Sequence, residues 1–134
     1  MSSKSKYVFD VGVIALSHAA TPVSKTALDY IKSAIRGEVI GIVPTAAMLG
    51  AHHVLRNNYH IRRDVASDLL KNLRSAMELE WYETIRVDTL EGALDISGRE
   101  NIESWDGYYA EVAKNTCADK IITLDDDFDR VTGI

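Results

Sequence analysis

The chain has 134 residues, 46% of them hydrophobic and 26% charged, with a formal net charge of −5. That length supports one domain with a buried core, and the acidic balance argues against a protein that holds nucleic acid through a broad basic surface. It leaves room for a protein that uses carboxylates to hold a metal.

No apolar run approaches the roughly 20 residues a membrane-spanning helix needs, and the polar opening MSSKSKY lacks a signal peptide's apolar segment. The lone Cys117 cannot form an internal disulfide and reads as a small buried hydrophobe. A single domain over residues 1–134, without a membrane anchor and in the cytoplasm, is therefore expected.

Strand and helix signals alternate along the chain. Tyr7 to Asp10 begins a valine-rich apolar run that reads as a strand. SKTALDYIKSAIRG has amphipathic helical spacing, with a cap near Ser24 and a stop at Gly37. VIGIV, from Val39 to Val43, is the short continuous apolar run of a buried parallel strand. Thr45 to Asn57 and Asp64 to Met77 show helical spacing, LEWYE a short strand, and TLEGALDISG a helix ended by Gly98. SWDGYYAEVAKNT reads as a helix with Ser104 as its N-cap, and Lys120 to Thr123 as a last strand running into an acidic turn.

This alternation predicts an α/β fold with parallel strands, right-handed crossovers and helices on both faces of the sheet. Sites in such folds lie outside the carboxyl ends of the strands. Asp10 follows the first strand, Asp125 follows the last, and Asp106 opens the late helix and can face the same edge. A carboxylate beside apolar neighbours is costly unless a cation or hydrogen bonds compensate it, so the three together suggest a shared divalent cation. Each also has a plainer reading. Asp10 can cap the next segment, Asp106 can be a favourable charge in a first helical turn, and Asp125-Asp126-Asp127 can be a solvated turn.

Four ordered segments, VFDVGVIAL, VPTAAMLGAHHVLRNNYHIRRD, WDGYYAEVA and IITLDDDF, together resemble the PIN-domain family, most closely its VapC-type toxin-like ribonuclease branch. The resemblance covers nearly the whole chain. It implies a three-layer α/β/α fold with a central, mostly parallel sheet, a Mg²⁺ or Mn²⁺ site, and cleavage of RNA. It also implies an antitoxin protein partner and a homodimer. Carried over by residue, Asp10, Asp106 and Asp125 are the metal-binding and catalytic aspartates, the last in the pattern Thr123-Leu124-Asp125, and Asp127 is a further acidic position that binds metal through water.

The chain departs from the family at its second acidic position. A glutamate normally lies about six residues after the proline that ends the second strand, and here Gly50 stands at that distance from Pro44. Val11 and Gly12 also replace the hydroxyl residues that often follow the first aspartate. Candidate substitutes are Glu103, three residues before Asp106, Asp126 or Asp127, and His53, one helical turn after Gly50.

The alternative function is a PIN domain of weakened catalysis that works as an RNA-binding or protein-interaction module. A phosphatase of the haloacid dehalogenase type fits poorly, because its second aspartate would fall on Gly12. Trp105, Tyr108 and Tyr109 can stack on bases but more often such aromatics form core or dimer contacts. The basic residues Arg62, Arg63, Lys71 and Arg74 read as the solvated face of a helix.

Overall fold

The apolar run that opens the chain divides at Asp10. A continuous apolar segment fits a buried strand or a buried helix equally well, and here it forms both: strand β1 (Lys6–Phe9) and helix α1 (Val11–Leu16). Asp10 sits between them with extended backbone angles, φ −84° and ψ 176°, and its Oδ1 accepts the N–H of Val13 at 2.8 Å. That bond satisfies one of the free donors at a helix start, so the chain coils after Asp10. The expectation of a strand alone missed α1. The computed structural model describes residues 4–83 and 86–123.

The remaining elements are α2 (Ser24–Ile35), β2 (Ile40–Pro44), α3 (Ala47–Asn57), α4 (Arg63–Arg74), β3 (Glu80–Tyr82), α5 (Val87–Glu100), α6 (Ser104–Thr116) and β4 (Lys120–Ile122). Four parallel strands form one sheet in the order β3-β2-β1-β4, with Val8 opposite Ile42 and Ile121, and Phe9 opposite Ile122. Val8, Phe9, Ile42 and Val43 are wholly buried, as expected of strands covered on both faces.

Strand alternation assigns the two helical layers. Tyr7 packs edge-on against Tyr30 of α2, and Trp81, in register with Val43, carries Arg74 of α4 over its ring. The residue adjacent to each on its strand points the other way: Lys6 Nζ reaches the Thr116 carbonyl, and Asn115 donates to the Tyr82 hydroxyl, with Thr116 and Asn115 both on α6. The expected three-layer α/β/α arrangement with a central parallel sheet is what the chain forms.

Among the differences from expectation are two helix boundaries and the burial of Cys117. Helix α5 continues through Gly98, where a side chain would meet nothing within 4 Å, and ends at Asn101 in the left-handed region at φ 55°. A single interior glycine weakens a helix without stopping it, whereas a left-handed residue closes its last turn. Glu103, with extended angles, occupies the cap position of α6 in place of Ser104, and no side chain caps that helix. Cys117 is exposed and not buried; it ends α6 at φ 56°, a position set by backbone geometry that apolar packing does not reach.

Helices α5 and α6 approach each other through Gly107. A Cβ there would overlap the backbone carbonyl of Ala93, with the Ser97 nitrogen 3.2 Å away, so only glycine lets the two backbones pack this closely. Gly107 directly follows Asp106, which ties the helix crossing to the candidate site.

Candidate active site

The strand order reverses between β1 and β4, since the chain leaves β1 toward β2 on one side and returns to β4 on the other. In open parallel sheets the crevice at the carboxyl ends of such strands is where ligands bind. Asp10 lies at this edge: its N–H points to the Ile122 carbonyl at 3.4 Å, so β4 delivers the chain to Thr123 beside Asp10. Continuing the strand alternation one residue past Phe9 turns Asp10 toward the α6 layer.

Asp106 comes from that layer, in the first turn of α6. Both carboxylates are buried, Asp10 with 7% and Asp106 with 8% of its surface exposed. Tyr109, one helical turn beyond Asp106, joins them. Its hydroxyl accepts the Val11 N–H at 3.0 Å, which fastens the start of α1 to α6. The Tyr109 phenol is held well above its ordinary ionisation range, first by burial and then by the negative charges of Asp10 and Asp106, with the Val11 N–H acting in the opposite sense. Both aspartates therefore lie within electrostatic reach of one hydroxyl, although they are 96 positions apart in the chain. Tyr109 stays neutral at physiological pH and works as a hydrogen-bonding post, not as a base.

Sequence reasoning missed Tyr109, placing it only in an aromatic trio. Its ring stacks on Trp105 at 5.9 Å between centroids and 25° between planes, while Tyr108 meets Trp105 edge-on. Tyr108 and Tyr109 are core residues, and the buried Tyr108 phenol is pushed up to about 12 mainly by desolvation. Trp105 keeps 45% of its surface exposed.

The other predicted site residues are distributed as follows. Thr123 directly follows β4 and is partly exposed. Glu103 is exposed at the cap of α6. His53 is exposed on α3, its ring within 3.0 Å of the Asn57 amide, and it lines a polar cleft with His52, Arg56 and Arg63. Asp125, Asp126 and Asp127 lie outside the described residues. Among the described residues, no three His, Cys, Asp or Glu side chains come together as a metal-binding group.

Gly50 packs against α1. A Cβ at this position would come within 2.6 Å of Val11 Cγ2, so the branched Val11 side chain fills the space that a longer residue at 50 would enter. The two departures from the family pattern, at Gly50 and at Val11, are thus one packed contact.

Asp10 and Asp106 present an all-oxygen, anionic donor set on two facing elements. That suits a hard divalent cation such as Mg²⁺ or Mn²⁺, which takes one or two direct carboxylates and keeps several waters. A softer metal would call for thiolate or imidazole ligands, and the carboxylate pair has neither beside it among the described residues.

This parallel α/β fold is also found among solved structures. The toxin VapC20 of Mycobacterium tuberculosis, described as cleaving the sarcin-ricin loop, superposes with a TM-score of 0.74 at 14% identity, covering 96% of each chain. The PAE2754 protein of Pyrobaculum aerophilum superposes with a TM-score of 0.66 at 18% identity, over 96% of this chain and 87% of its own. No family model and no curated protein matches the sequence. The likeness is one of fold: a PIN-like α/β/α architecture. Among the described residues no helix is long and apolar enough to cross a membrane.

Proposed function

We propose that this protein is a divalent-metal-dependent endoribonuclease of the PIN type, acting on single-stranded or structured RNA. What supports this reading is that Asp10 and Asp106 are both buried and both act electrostatically on the Tyr109 hydroxyl, with Asp10 at the carboxyl edge where the strand order reverses. Asp125 is the third ligand in this proposal. It follows Ile122 by three residues, a length of chain that spans at most about 10 Å, and Ile122 is hydrogen-bonded to Asp10. Asp127 contributes through water.

A Mg²⁺ or Mn²⁺ ion held by these groups supplies Lewis acidity toward a phosphate and makes water a better nucleophile. The chain's own residues do the positioning. Asp10 holds the start of α1 with one oxygen, Asp106 is fixed by the α5–α6 crossing, and neutral Tyr109 keeps the two elements together. The test is a pool of RNAs incubated with Mg²⁺ or Mn²⁺. Cleavage by the wild-type protein is expected, with loss in Asp106→Asn; absence of any metal-dependent product at high protein concentration would sink the proposal.

A second reading is favoured by one observation, the filling of the space at Gly50 by Val11. With one acid fewer, the fold serves as an RNA-binding or protein-interaction module whose catalysis is weak. Product yield in the same assay separates the two.

VapC20 is a toxin, and the proposal extends to a toxin-like role here, with an antitoxin protein as partner and with a homodimer as the resting form. What supports association is an exposed apolar stripe, Val87, Leu90 and Leu94 on α5 beside Trp105, the last three bordering an apolar cavity of about 300 Å³.

A further inference from the structure

We infer that the α3–α4 hairpin is the surface on which the phosphate backbone of single-stranded RNA docks, leading toward Asp10 and Asp106. The inference rests on the ribonuclease reading for the identity of its ligand, and on charge and shape for its location.

Charge is segregated in this molecule. Residues 47–74 carry five Lys and Arg against only Asp64 and Asp68, together with His52, His53 and His60, in a chain whose net charge is −5. Arg62 is neutralised by Asp64 at 2.6 Å. Arg56, Arg63, Lys71 and Arg74 form no ion pair with a carboxylate among the described residues; the same holds for Lys4, Lys6, Lys32, Lys114 and Lys120 elsewhere, but the four on α3 and α4 line two adjoining hollows. Solvated helix faces normally intersperse the two signs. A run of unpaired cations in an acidic protein is the footprint of a polyanion.

Shape agrees. A polar cleft of about 330 Å³ is lined by His52, His53, Arg56, Asn57 and Arg63, and a second hollow sharing Leu49 and His52 continues to Lys71, Arg74 and Trp81. Local bonds hold the cleft side chains in place: Arg56 donates to the Ile61 carbonyl at 3.1 Å, and His52 meets Ser67 at 3.2 Å. Guanidinium and imidazole donors presented in this way suit phosphate oxygens. Gly50, one turn before His53, packs against Val11, the residue after Asp10, so α3 runs past the start of the helix that Asp10 caps. The reading of these cations as a solvated face does not account for the hollows they line.

The experiment compares binding of a fluorescently labelled single-stranded RNA to the wild-type protein, to Arg63→Gln/Lys71→Gln, and to Lys32→Gln as a control on α2. Binding is measured in EDTA over a range of salt, and cleavage separately in Mn²⁺. Arg63 and Lys71 are both exposed, so the double variant should fold. Loss of two phosphate contacts is expected to weaken binding by about 10-fold at low salt and to flatten the log Kd against log salt slope by about 1.4, from roughly 0.7 per contact on single strands. Lys32→Gln should match the wild type. Wild-type binding that the double variant leaves unchanged in strength and slope overturns the inference and leaves the nuclease reading standing. Binding lost as predicted from a wild-type protein that cuts nothing in Mn²⁺ upholds the inference and removes the nuclease reading. No RNA binding even at low salt overturns the inference outright.

Discussion

Asp10→Asn is expected to leave the fold about as stable as the wild type while lowering metal-dependent RNA cleavage by at least about 100-fold. The two halves of this expectation have separate causes. Asparagine caps a helix as well as aspartate does, so the bond from Val13 to position 10 survives and α1 still starts where it does. What disappears is the negative charge. Charge stabilisation by a catalytic cation amounts to several kcal/mol, and each 1.36 kcal/mol is a factor of ten in rate. Asp10→Ala should lose cleavage equally and in addition lower the urea-derived stability by about 1 kcal/mol through loss of the cap. Urea unfolding and single-turnover cleavage, run on the same samples, separate structural from chemical roles. An asparagine variant that cuts RNA at the wild-type rate would remove Asp10 from the chemistry and leave it as a cap.

Gly107→Ala is expected to destabilise the protein by more than about 3 kcal/mol, a cost at the upper end for overpacking. Intrinsic helix propensity points the other way, since alanine is favoured over glycine by about 1 kcal/mol. The steric argument decides, because the added methyl would overlap the Ala93 carbonyl, and backbone cannot swing aside as a side chain can. Helix α6 would have to retreat from α5, taking Asp106 with it, so weaker Mn²⁺ affinity by calorimetry should accompany the lower urea midpoint. Gly98→Ala provides the contrast. That glycine faces open space inside α5, and the substitution should stabilise by about 0.5–1 kcal/mol. If the two variants shift stability by similar amounts in the same direction, close approach at Gly107 is not what holds the crossing.

The alternation of strands and helices was legible from periodicity, and with it the edge of the sheet on which acids should gather. Asp10 and Asp106 stood out because a carboxylate interrupts apolar surroundings in both places. Helix α1 was not legible, since VGVIAL carries no period that separates a buried strand from a short buried helix; only the cap bond of Asp10 resolves it. The end of α5 was misplaced because Gly98 is a local weakness, while the left-handed turn at Asn101 depends on its neighbours in space. Tyr109 was invisible as a site residue for the same kind of reason. Its hydroxyl takes a backbone N–H from 98 positions away, and no pattern within α6 announces that partner. The α3–α4 cations were visible as residues, but whether they were neutralised could not be known until their neighbours were placed.

The contact between Gly50 and Val11 makes those positions dependent on each other in descent as well as in space. An acidic side chain introduced at 50 first would collide with a β-branched residue that has few rotamers to offer, whereas trimming 11 first would leave a gap beside the start of α1. Each single step is harmful on its own, and only the pair is tolerable. Lineages of this protein should therefore stay on one side of that barrier, and selection for a more acidic site in the laboratory should succeed from libraries that vary both codons at once and stall in those that vary one.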